Sequence, residues 1–426
     1  MNIIRYVKEN GVGHCLSVLY RYKLDALFTR LLGLFLCHRP LRDIIVIESH
    51  NDFDSNGGAF YRYLLQNGYD RRYRIVWLLK HKRPKRLPPN VTAVPLCRPS
   101  LRKAYYRWIA RFFTVDRCAP GKLRSDQVCV YFGHGGFGLK DCRGHMDLPD
   151  GIDRVLMQSH GVGAVFAGQF GLAPDDKRLC YVGFPYLDTL VDGEPGDLHK
   201  IIGEERRKGK KTLLWMPTFR KGGFHREDGT VGPLGVPLIP DQKTWMQLDK
   251  QLNELGLLLI LKIHPMQDLR DLKATETPNI RILTGVSVKT LGVDNYRLMK
   301  DCDAMLSDHS SVAYDFLYLD RPIAYDLSDL SDYRIGLCVD DPQNYMAGPV
   351  IRGMEDLYAF LSDLAAGRDR FAEARQALRR KLFDYTDADN CRRAAALLGL
   401  AAPTDDRRGK NATRNGRHTK TALQDG

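Results

Sequence analysis

The chain has 426 residues and carries 64 lysines and arginines against 51 aspartates and glutamates, which gives a formal net charge of +13. Its hydrophobic fraction of 44% and charged fraction of 27% are close to globular averages, so disorder is excluded as the main state. No apolar run approaches the roughly 18 residues that a membrane span requires, which excludes a multi-span membrane protein. The length predicts two or three domains.

The positive charge is compatible with three classes of partner, namely nucleic acid, an anionic lipid surface and a phosphorylated substrate. The ten cysteines form no Cys-x-x-Cys pair and have no zinc-finger spacing with histidine. The first residues lack an apolar signal segment that ends in a small-residue cleavage site. We therefore expect reduced thiols and a cytoplasmic protein.

Residues 1–42 predict a basic amphipathic segment. Apolar side chains recur at spacings of three and four between Leu16 and Phe35, with Arg21, Lys23 and Arg30 among them. Such a helix can lie on an anionic leaflet, or it can be the outer helix of a soluble domain. The sequence leaves both alternatives open.

Buried strands alternate with helical stretches along the rest of the chain. Predicted strands occupy residues 43–48, 74–79, 127–132, 179–182, 212–216, 257–263, 303–307 and 321–325. Near-continuous apolar strands separated by helices are typical of parallel sheets that are covered on both faces. We therefore predict an α/β fold of two doubly wound Rossmann-like domains that face each other across a cleft. Ligands are expected at the carboxyl ends of the strands.

Changes in composition predict the domain boundaries. Charge, glycine and proline increase at 191–211, so the first α/β domain is expected at 43–195 and the second at 205–400. Residues 401–426 contain almost no large apolar side chains and are predicted to form a disordered basic tail.

The first candidate site is the glycine-rich segment Tyr-Phe-Gly-His-Gly-Gly-Phe-Gly-Leu-Lys at 131–140, which follows a predicted strand. Glycine allows a ligand to approach the backbone closely, and His134 at this position is suited to proton transfer. Taken alone, the segment is equally compatible with a glycine turn that contains an incidental histidine.

Three segments of the second domain also place polar residues directly after a strand. Thr218 and Arg220 follow the strand at 212–216, and arginine suits bidentate recognition of phosphate. His264 follows the strand at 257–263, where it is more accessible to a cleft than a core histidine. In the third segment, Asp308 and two serines lead into a helix whose N-terminal amides can bind an anion.

In this order and spacing, the segments resemble the CDP-glycerol glycerophosphotransferase family of teichoic-acid primases, polymerases and capsule-associated relatives. The similarity extends from about Ile44 to Leu397. It includes Asn56, the glycine-rich segment, Gly-Phe-Pro-Tyr-Leu-Asp at 183–188, Pro-Thr-Phe-Arg at 217–220, Ile-His-Pro at 263–265 and Ser-Asp-His-Ser-Ser at 307–311.

The resemblance implies a glycosyltransferase-B-like fold, with the acceptor and the membrane at the N-terminal domain and the nucleotide donor at the C-terminal domain. It implies an enzyme that moves a polyol phosphate, most simply glycerol phosphate, from a CDP-polyol to a hydroxyl and releases CMP. The acceptor is expected to be a cell-surface glycan or a lipid-linked molecule. The protein is then expected to be peripheral on the inner face of the cell membrane, with nucleic acid as the least favoured partner.

The same resemblance implies the roles of individual residues. His134 is expected to be the general base for the attacking hydroxyl, and His264 the second catalytic residue, which holds the pyrophosphate. The remaining donor-site residues are expected to be Thr218, Arg220, Lys262, Asp308, Ser310 and Ser311. The family is not known for a metal-binding acidic motif, and we see no clear Asp-x-Asp pair at a strand end here. We therefore expect a reaction without a metal or another cofactor.

The sequence departs from the family pattern at three places. Residues 136–140 replace the usual Thr-Pro-Leu-Lys, Tyr186 stands where arginine is common, and His309 replaces the usual tyrosine. The first two departures concern the acceptor half. Two other functions remain open on the sequence: a glycosyltransferase-B enzyme that uses a nucleotide sugar, and a non-catalytic basic protein that binds lipid or RNA.

Overall fold

Two parallel β-sheets, one in each half of the chain, form the framework of the computed structural model. The structure describes residues 11–81, 83–117, 119, 121–133, 135–144, 148–222 and 226–403. The described strands of the first sheet are β1 (Arg42–Glu48), β2 (Arg74–Leu79), β3 (Val91–Pro95), β4 (Ala110–Val115), β5 (Val128–Tyr131), β6 (Arg154–Met157) and β7 (Leu179–Tyr181). Their spatial order is β3-β2-β1-β4-β5-β6-β7.

The second sheet repeats this arrangement. Its described strands are β8 (Lys211–Met216), β11 (Leu257–Lys262), β12 (Ile280–Leu283), β13 (Ala304–Ser307), β14 (Ile323–Asp326) and β15 (Val350–Ile351). They lie in the order β12-β11-β8-β13-β14-β15, while β9 (Lys221–Gly222) and β10 (Arg226–Glu227) pair separately. In each sheet the first strand lies between the second and the fourth, so the order reverses there. Loops at the carboxyl end of such a reversal form a ligand crevice.

Helices cover both sheets. They are α1 (Val12–Leu36), α2 (Ser55–Gln66), α3 (Leu101–Ile109), α4 (Gly163–Gln169), α5 (Asp188–Val191), α6 (Glu204–Arg207), α7 (Gln242–Glu254), α8 (Gly285–Leu291), α9 (Asn295–Asp301), α10 (Ser311–Phe316), α11 (Met354–Ala365), α12 (Ala372–Leu382) and α13 (Asn390–Leu398). One apolar cluster includes residues of both halves, and a second lies on the other face of the second sheet. The predicted fold class is confirmed.

All eight predicted strands are present within two residues of their expected bounds. The sequence did not predict β4, which is central in the first sheet. Helix α3 ends at Ile109 and β4 begins at Ala110, so no glycine or proline separates the two elements. Without such a residue, the change of periodicity from 3.6 to 2 has no local marker.

The predicted N-terminal helix is α1, and one of its faces packs against α3. Trp108 Nε1 donates a hydrogen bond to the Thr29 carbonyl over 2.6 Å, and Lys103 Nζ lies 3.0 Å from Asp25 Oδ1. A Cβ added at Gly33 would lie 2.6 Å from the Trp108 ring, so glycine allows the close contact. No helix in the described ranges is long and apolar enough to cross a membrane.

The last two helices return to the first half of the chain. Ser159 Oγ donates a hydrogen bond to the Lys381 carbonyl over 2.7 Å. The Asp188 carboxylate accepts hydrogen bonds from the backbone amides of Asn390 and Cys391, at 2.9 and 2.7 Å. These contacts fix the two halves relative to each other. The tail predicted to be disordered lies outside the described residues from residue 404 onward.

Candidate active site

The glycine-rich segment of the first half contacts the second half directly. The backbone amide of Leu139 donates a hydrogen bond to the His309 carbonyl over 3.2 Å, and Lys140 forms an isolated antiparallel bridge with Leu337. Lys140 Nζ also lies 2.8 Å from Asp228 Oδ2. The segment that carries the predicted general base therefore borders the predicted donor site.

Asn56 supports the start of this segment from helix α2. Its side chain is fully buried and its Nδ2 donates hydrogen bonds to the carbonyls of Phe132 and Gly133, at 2.9 and 3.0 Å. Gly133 has a φ of +70°, a conformation that glycine adopts without strain. His134 follows immediately but lies outside the described residues, so its assignment as general base stays a prediction.

In the second half, Asp308 organises the loop after β8. The Thr218 amide and hydroxyl donate to the Asp308 carboxylate over 2.8 and 2.5 Å, and Arg220 donates to it over 3.1 Å. Burial favours the protonated acid, but His309, Arg220 and the Thr218 hydrogen bonds outweigh that effect and lower the pKa of Asp308. Asp308 is therefore a structural anion at neutral pH.

The guanidinium of Arg220 is shared between two carboxylates. It contacts Asp308 and also donates to Asp329 over 2.6 and 2.9 Å, and only 4% of the residue is exposed. Burial disfavours its charge, yet the two carboxylates raise the pKa of Arg220 above the ordinary value. These contacts fix the loop that follows β8. A direct bond from Arg220 to phosphate stays a prediction.

Lys262, the last residue of β11, differs from Arg220. It is 4% exposed, and its Nζ makes no hydrogen bond or ion pair within the described ranges of the chain. Burial lowers the pKa of Lys262 to about 8, and the charge of Asp54 opposes this shift. Asp54 belongs to the first half, where it precedes α2 and accepts a hydrogen bond from the Ser55 amide. A buried cation near the junction of the halves is suited to an anionic ligand.

His264 and Thr218 line a narrow cavity beyond the ends of β8 and β11. Nδ1 of His264 accepts a hydrogen bond from the Met266 amide over 3.0 Å, so the neutral ring carries its proton on Nε2. The other side of the cavity is lined by Val231, Gly232, Val236 and Pro237. The structure thus brings His264, Thr218 and Arg220 to one cavity.

Ser310 and Ser311 lie on the other side of the Asp308 network. Both are half-buried, and the Ser310 amide donates to Asp308 Oδ1 over 3.1 Å. Ser310 occupies the N-cap position of α10, but its side chain makes no capping hydrogen bond. A Cβ added at Gly135 would lie 3.5 Å from Ser311 Oγ. The Ser311 hydroxyl therefore lies beside the glycine-rich segment.

Comparison with known proteins identifies the family. The family model for CDP-glycerol:poly(glycerophosphate) glycerophosphotransferase matches residues 33–398. The chain belongs to this family. A ribitol-phosphate primase of teichoic acid from Bacillus spizizenii is 25% identical over 230 residues, which cover 53% of this chain and 54% of that protein. A poly(glycerol phosphate) polymerase of teichoic acid from the same species is 24% identical over 359 residues, with coverages of 78% and 86%.

A solved structure of the wall teichoic acid polymerase TagF shares the fold of this glycerophosphotransferase-family chain. The TM-score is 0.69 at 19% sequence identity, and the alignment covers 94% of this chain and 98% of the other. The glycosyltransferase-B-like arrangement of two domains is therefore confirmed. As a member of the family, the protein is a transferase.

This transferase also has an acidic cluster at the strand reversal of its first sheet, which the sequence did not predict. Glu48 accepts hydrogen bonds from the amides of Asp116 and Arg117, both at 3.0 Å, and its Oε1 lies 2.7 Å from Lys80 Nζ. Asp116 is fully buried, and burial and Glu48 raise its pKa well above the ordinary value. Asp116 directly follows β4. Because the sequence did not predict this strand, it did not mark Asp116 as a residue at a strand end.

His309, one of the three departures from the family pattern, is 1% exposed and lies against Tyr333, with ring centroids 3.9 Å apart. Neither ring nitrogen has a hydrogen-bond partner within the described ranges. Burial lowers the pKa of His309 below its ordinary value, so the ring is neutral at pH 7.

The described residues contain no group of three potential ligands that could hold a metal ion.

Proposed function

We propose that the protein transfers a polyol phosphate, with glycerol phosphate as the first candidate, from a CDP-polyol to a hydroxyl of a glycan or lipid-linked acceptor. The observation that carries this proposal is the family match across residues 33–398. The convergence of Thr218, His264 and Lys262 at the strand ends of the second half gives it a physical basis. A pyrophosphate is stabilised by this combination of hydroxyl, imidazole and ammonium groups.

In the proposed reaction, the acceptor oxygen attacks the phosphorus that carries the polyol. The new bond joins the acceptor oxygen to this phosphorus, the bond to the bridging oxygen breaks, and CMP leaves with the electron pair. The acceptor proton passes to His134 as general base. Lys262 offsets the negative charge that develops on the leaving phosphate, and His264 donates a hydrogen bond from Nε2.

The donor assay tests this proposal. Purified protein with a lipid-linked or oligosaccharide acceptor should release CMP from CDP-glycerol or CDP-ribitol. Release of UDP or GDP from nucleotide sugars, with no CMP from either CDP-polyol, would instead favour an ordinary glycosyltransferase. Activity should persist in EDTA, and a loss that magnesium reverses would contradict the expected independence from metal.

Variants test the residue assignments. His134→Ala and His264→Ala should each lower turnover strongly, by on the order of a hundredfold or more. A matched control is His160→Ala, because His160 has an exposed side chain that pairs with Asp384. If both active-site variants turned over like this control, the assignments would be wrong.

We also propose that the exposed face of α1 binds an anionic membrane surface. We call Leu16, Tyr20, Lys23, Leu27, Arg30, Leu31 and Leu34 the α1 stripe. All seven are exposed, with 60% exposure at Leu16 and 75% at Leu34, and they share the helix face opposite Asp25 and Leu32. Leucines flanked by Lys23 and Arg30 complement the apolar and anionic layers of a leaflet.

Vesicle sedimentation tests the α1 stripe. The protein should bind vesicles that contain phosphatidylglycerol more strongly than pure phosphatidylcholine vesicles, and salt should weaken that binding. The triple variant Leu27→Ser, Leu31→Ser, Leu34→Ser should lose it. The matched control replaces Val286 and Leu291, two exposed apolar residues of α8, with serine. Equal binding by the stripe variant and this control would contradict the proposal.

A further inference from the structure

Three polar side chains contact Gly136, two residues after the predicted general base. A Cβ added at Gly136 would lie 2.4 Å from Gln158 Oε1, 2.8 Å from Tyr186 Oη and 3.0 Å from Asp315 Oδ1. Gln158 Oε1 also accepts a hydrogen bond from the Phe137 amide over 3.0 Å. Because side chains surround the backbone at this point, the path of the glycine-rich segment depends on them.

Tyr186 and Asp315 come from different halves of the chain. Tyr186 Oη donates a hydrogen bond to Asp315 Oδ1 over 2.8 Å, and the two residues are 0% and 2% exposed. The Tyr186 ring also stacks on Tyr296, with centroids 4.4 Å apart. The hydrogen bond therefore joins the halves inside a buried interface, where an unmade bond is costly.

Helix α10 connects this pair to the predicted donor site. Ser311 is its first residue, and Asp315 follows four positions later, one turn along the helix. A Cβ added at Gly138 would lie 3.0 Å from the Ser311 backbone, so the same helix touches the glycine-rich segment at two points. A shift of α10 would move the serines and this segment together.

We propose that Tyr186 and Asp315 are positioning residues, which set the glycine-rich segment, and with it His134, against the donor bound at Ser310 and Ser311. The proposal rests on the proposed function, because it assigns catalysis to that segment. The pair acts through the segment and does not itself contact the reacting atoms. The tyrosine stands at one of the departures from the family pattern.

The raised pKa of Asp315 agrees with a role in positioning the glycine-rich segment. Burial raises the pKa of Asp315 to about 7, and the hydrogen bond from Tyr186 opposes the shift. Tyr186, Tyr296 and the Gly136 amide face the pair, and these groups are neutral at pH 7. An asparagine at 315 can accept the same hydrogen bond, whereas an alanine cannot.

Steady-state kinetics of CMP release test the proposal. Tyr186→Phe and Asp315→Ala should each lower kcat by about a hundredfold, as small misplacements of catalytic groups do. The donor KM should stay within about threefold because the groups that contact the donor are unchanged. Asp315→Asn should retain kcat within about threefold. An Asp315→Asn variant as impaired as Asp315→Ala, or a rise in KM with kcat unchanged, would overturn the proposal.

A matched tyrosine provides the control for stability. Tyr318 is equally buried, and its Oη donates to the Asp387 carbonyl over 2.6 Å, away from the glycine-rich segment. Tyr318→Phe should lose stability comparably and keep kcat. If Tyr186→Phe matched Tyr318→Phe in kcat, the positioning role would be wrong.

Hydrogen exchange separates this inference from the proposed function, because it needs no turnover. The amides of Phe137 and Leu139 are hydrogen-bonded in the segment and should exchange faster in Tyr186→Phe than in Tyr318→Phe. If the wild-type protein used a different donor, this comparison and the kcat ratio on that donor would still decide the inference. Equal exchange in the two variants would overturn it.

Discussion

The two halves of the molecule have the same strand order but use charge differently at the point where that order reverses. In the first half, Glu48 is the last residue of β1 and pairs with Lys80 at 2.7 Å. In the second half, Asp308 follows β13 and pairs with Arg220 at 3.1 Å. Each half therefore has a cation that pairs with a carboxylate and fixes a loop, and in the second half Arg220 also pairs with Asp329. The second half has an additional buried cation, Lys262, with no such partner within the described ranges.

This difference indicates which charges fix the loops and which can bind a ligand. A cation that already pairs with buried carboxylates is poorly suited to bind a ligand, because its movement towards the ligand would leave those carboxylates without a partner. Lys262 has no such partner within the described ranges, and burial lowers its pKa although the charge of Asp54 opposes the shift. We therefore expect Arg220 to act mainly on stability and Lys262 mainly on catalysis.

The largest effect is expected for Arg220→Ala. The change leaves the buried Asp308 and the half-buried Asp329 without this cation, which should lower the free energy of unfolding by about 3–5 kcal/mol. Urea unfolding followed by circular dichroism measures this loss. The control is Arg281→Ala, which breaks the more exposed pair with Glu276 and should cost at most about 1 kcal/mol. A fully stable Arg220→Ala with only a raised donor KM would show that Arg220 is instead a ligand for phosphate.

Replacing Lys262 with methionine should lower catalysis and leave stability intact, which is the opposite of the effect expected for Arg220→Ala. The ratio kcat/KM should fall by about a hundredfold because a charge that stabilises the leaving group is lost. The free energy of unfolding at pH 7 should be unchanged or higher, since a buried charge without a partner is removed. The control is Lys250→Met, on the exposed side of α7. A destabilised Lys262→Met with normal kinetics would contradict the comparison.

The pH dependence of the wild-type protein gives a second test of Lys262. Burial lowers the pKa of Lys262 to about 8, so the ammonium loses its proton as pH rises through 8. Donor affinity, measured by calorimetry with CDP-glycerol, should therefore weaken above that pH, and the weakening should be absent in Lys262→Met. The same affinity curve in both proteins would exclude Lys262 from the donor site.

A smaller effect is expected for Asn56→Ala in the first half. The change removes two hydrogen bonds to the carbonyls that precede His134, so kcat should fall by about tenfold through misplacement of the glycine-rich segment. The control is Asn67→Ala at the end of the same helix, where the exposed side chain donates a hydrogen bond to the Tyr63 carbonyl over 2.9 Å. Equal kcat in the two variants would show that Asn56 is not needed to place the segment.

Most of the framework could be predicted from the sequence because it depends on local patterns. Apolar runs marked eight strands, and the polar residues that follow them marked Thr218, His264 and the serines. The electrostatic roles could not be predicted, because they depend on contacts between distant residues. Asp329 lies 109 positions after Arg220, and Asp315 lies 129 positions after Tyr186. No spacing in the sequence indicates such pairs.

The smallest effect on the free energy of unfolding is expected for Asp116→Asn in the first half, which we compare with Asp308→Asn in the second half. Its Oδ2 accepts long hydrogen bonds of 3.3 and 3.4 Å from the amides of His50 and Gly57, and its pKa is raised well above the ordinary value by burial and by Glu48. The raised pKa of Asp116 favours the protonated carboxyl, and an asparagine is nearly isosteric with that form. Asp116→Asn should change the free energy of unfolding at pH 7 by no more than about 1 kcal/mol.

The pH dependence of unfolding distinguishes the two acids. An acid whose folded pKa is raised makes the folded protein hold the extra proton, so stability falls as pH rises from about 4 towards the raised value. Asp116→Asn should remove that decline. Asp308 has a lowered pKa, so its contribution is present above about pH 4 and is lost only as pH falls below that value, and Asp308→Asn should abolish this acid-sensitive contribution. We expect Asp308→Asn to lose stability at pH 7. A similar loss in Asp116→Asn would contradict the difference between the halves, because both would then depend on an ionised carboxylate at the strand reversal.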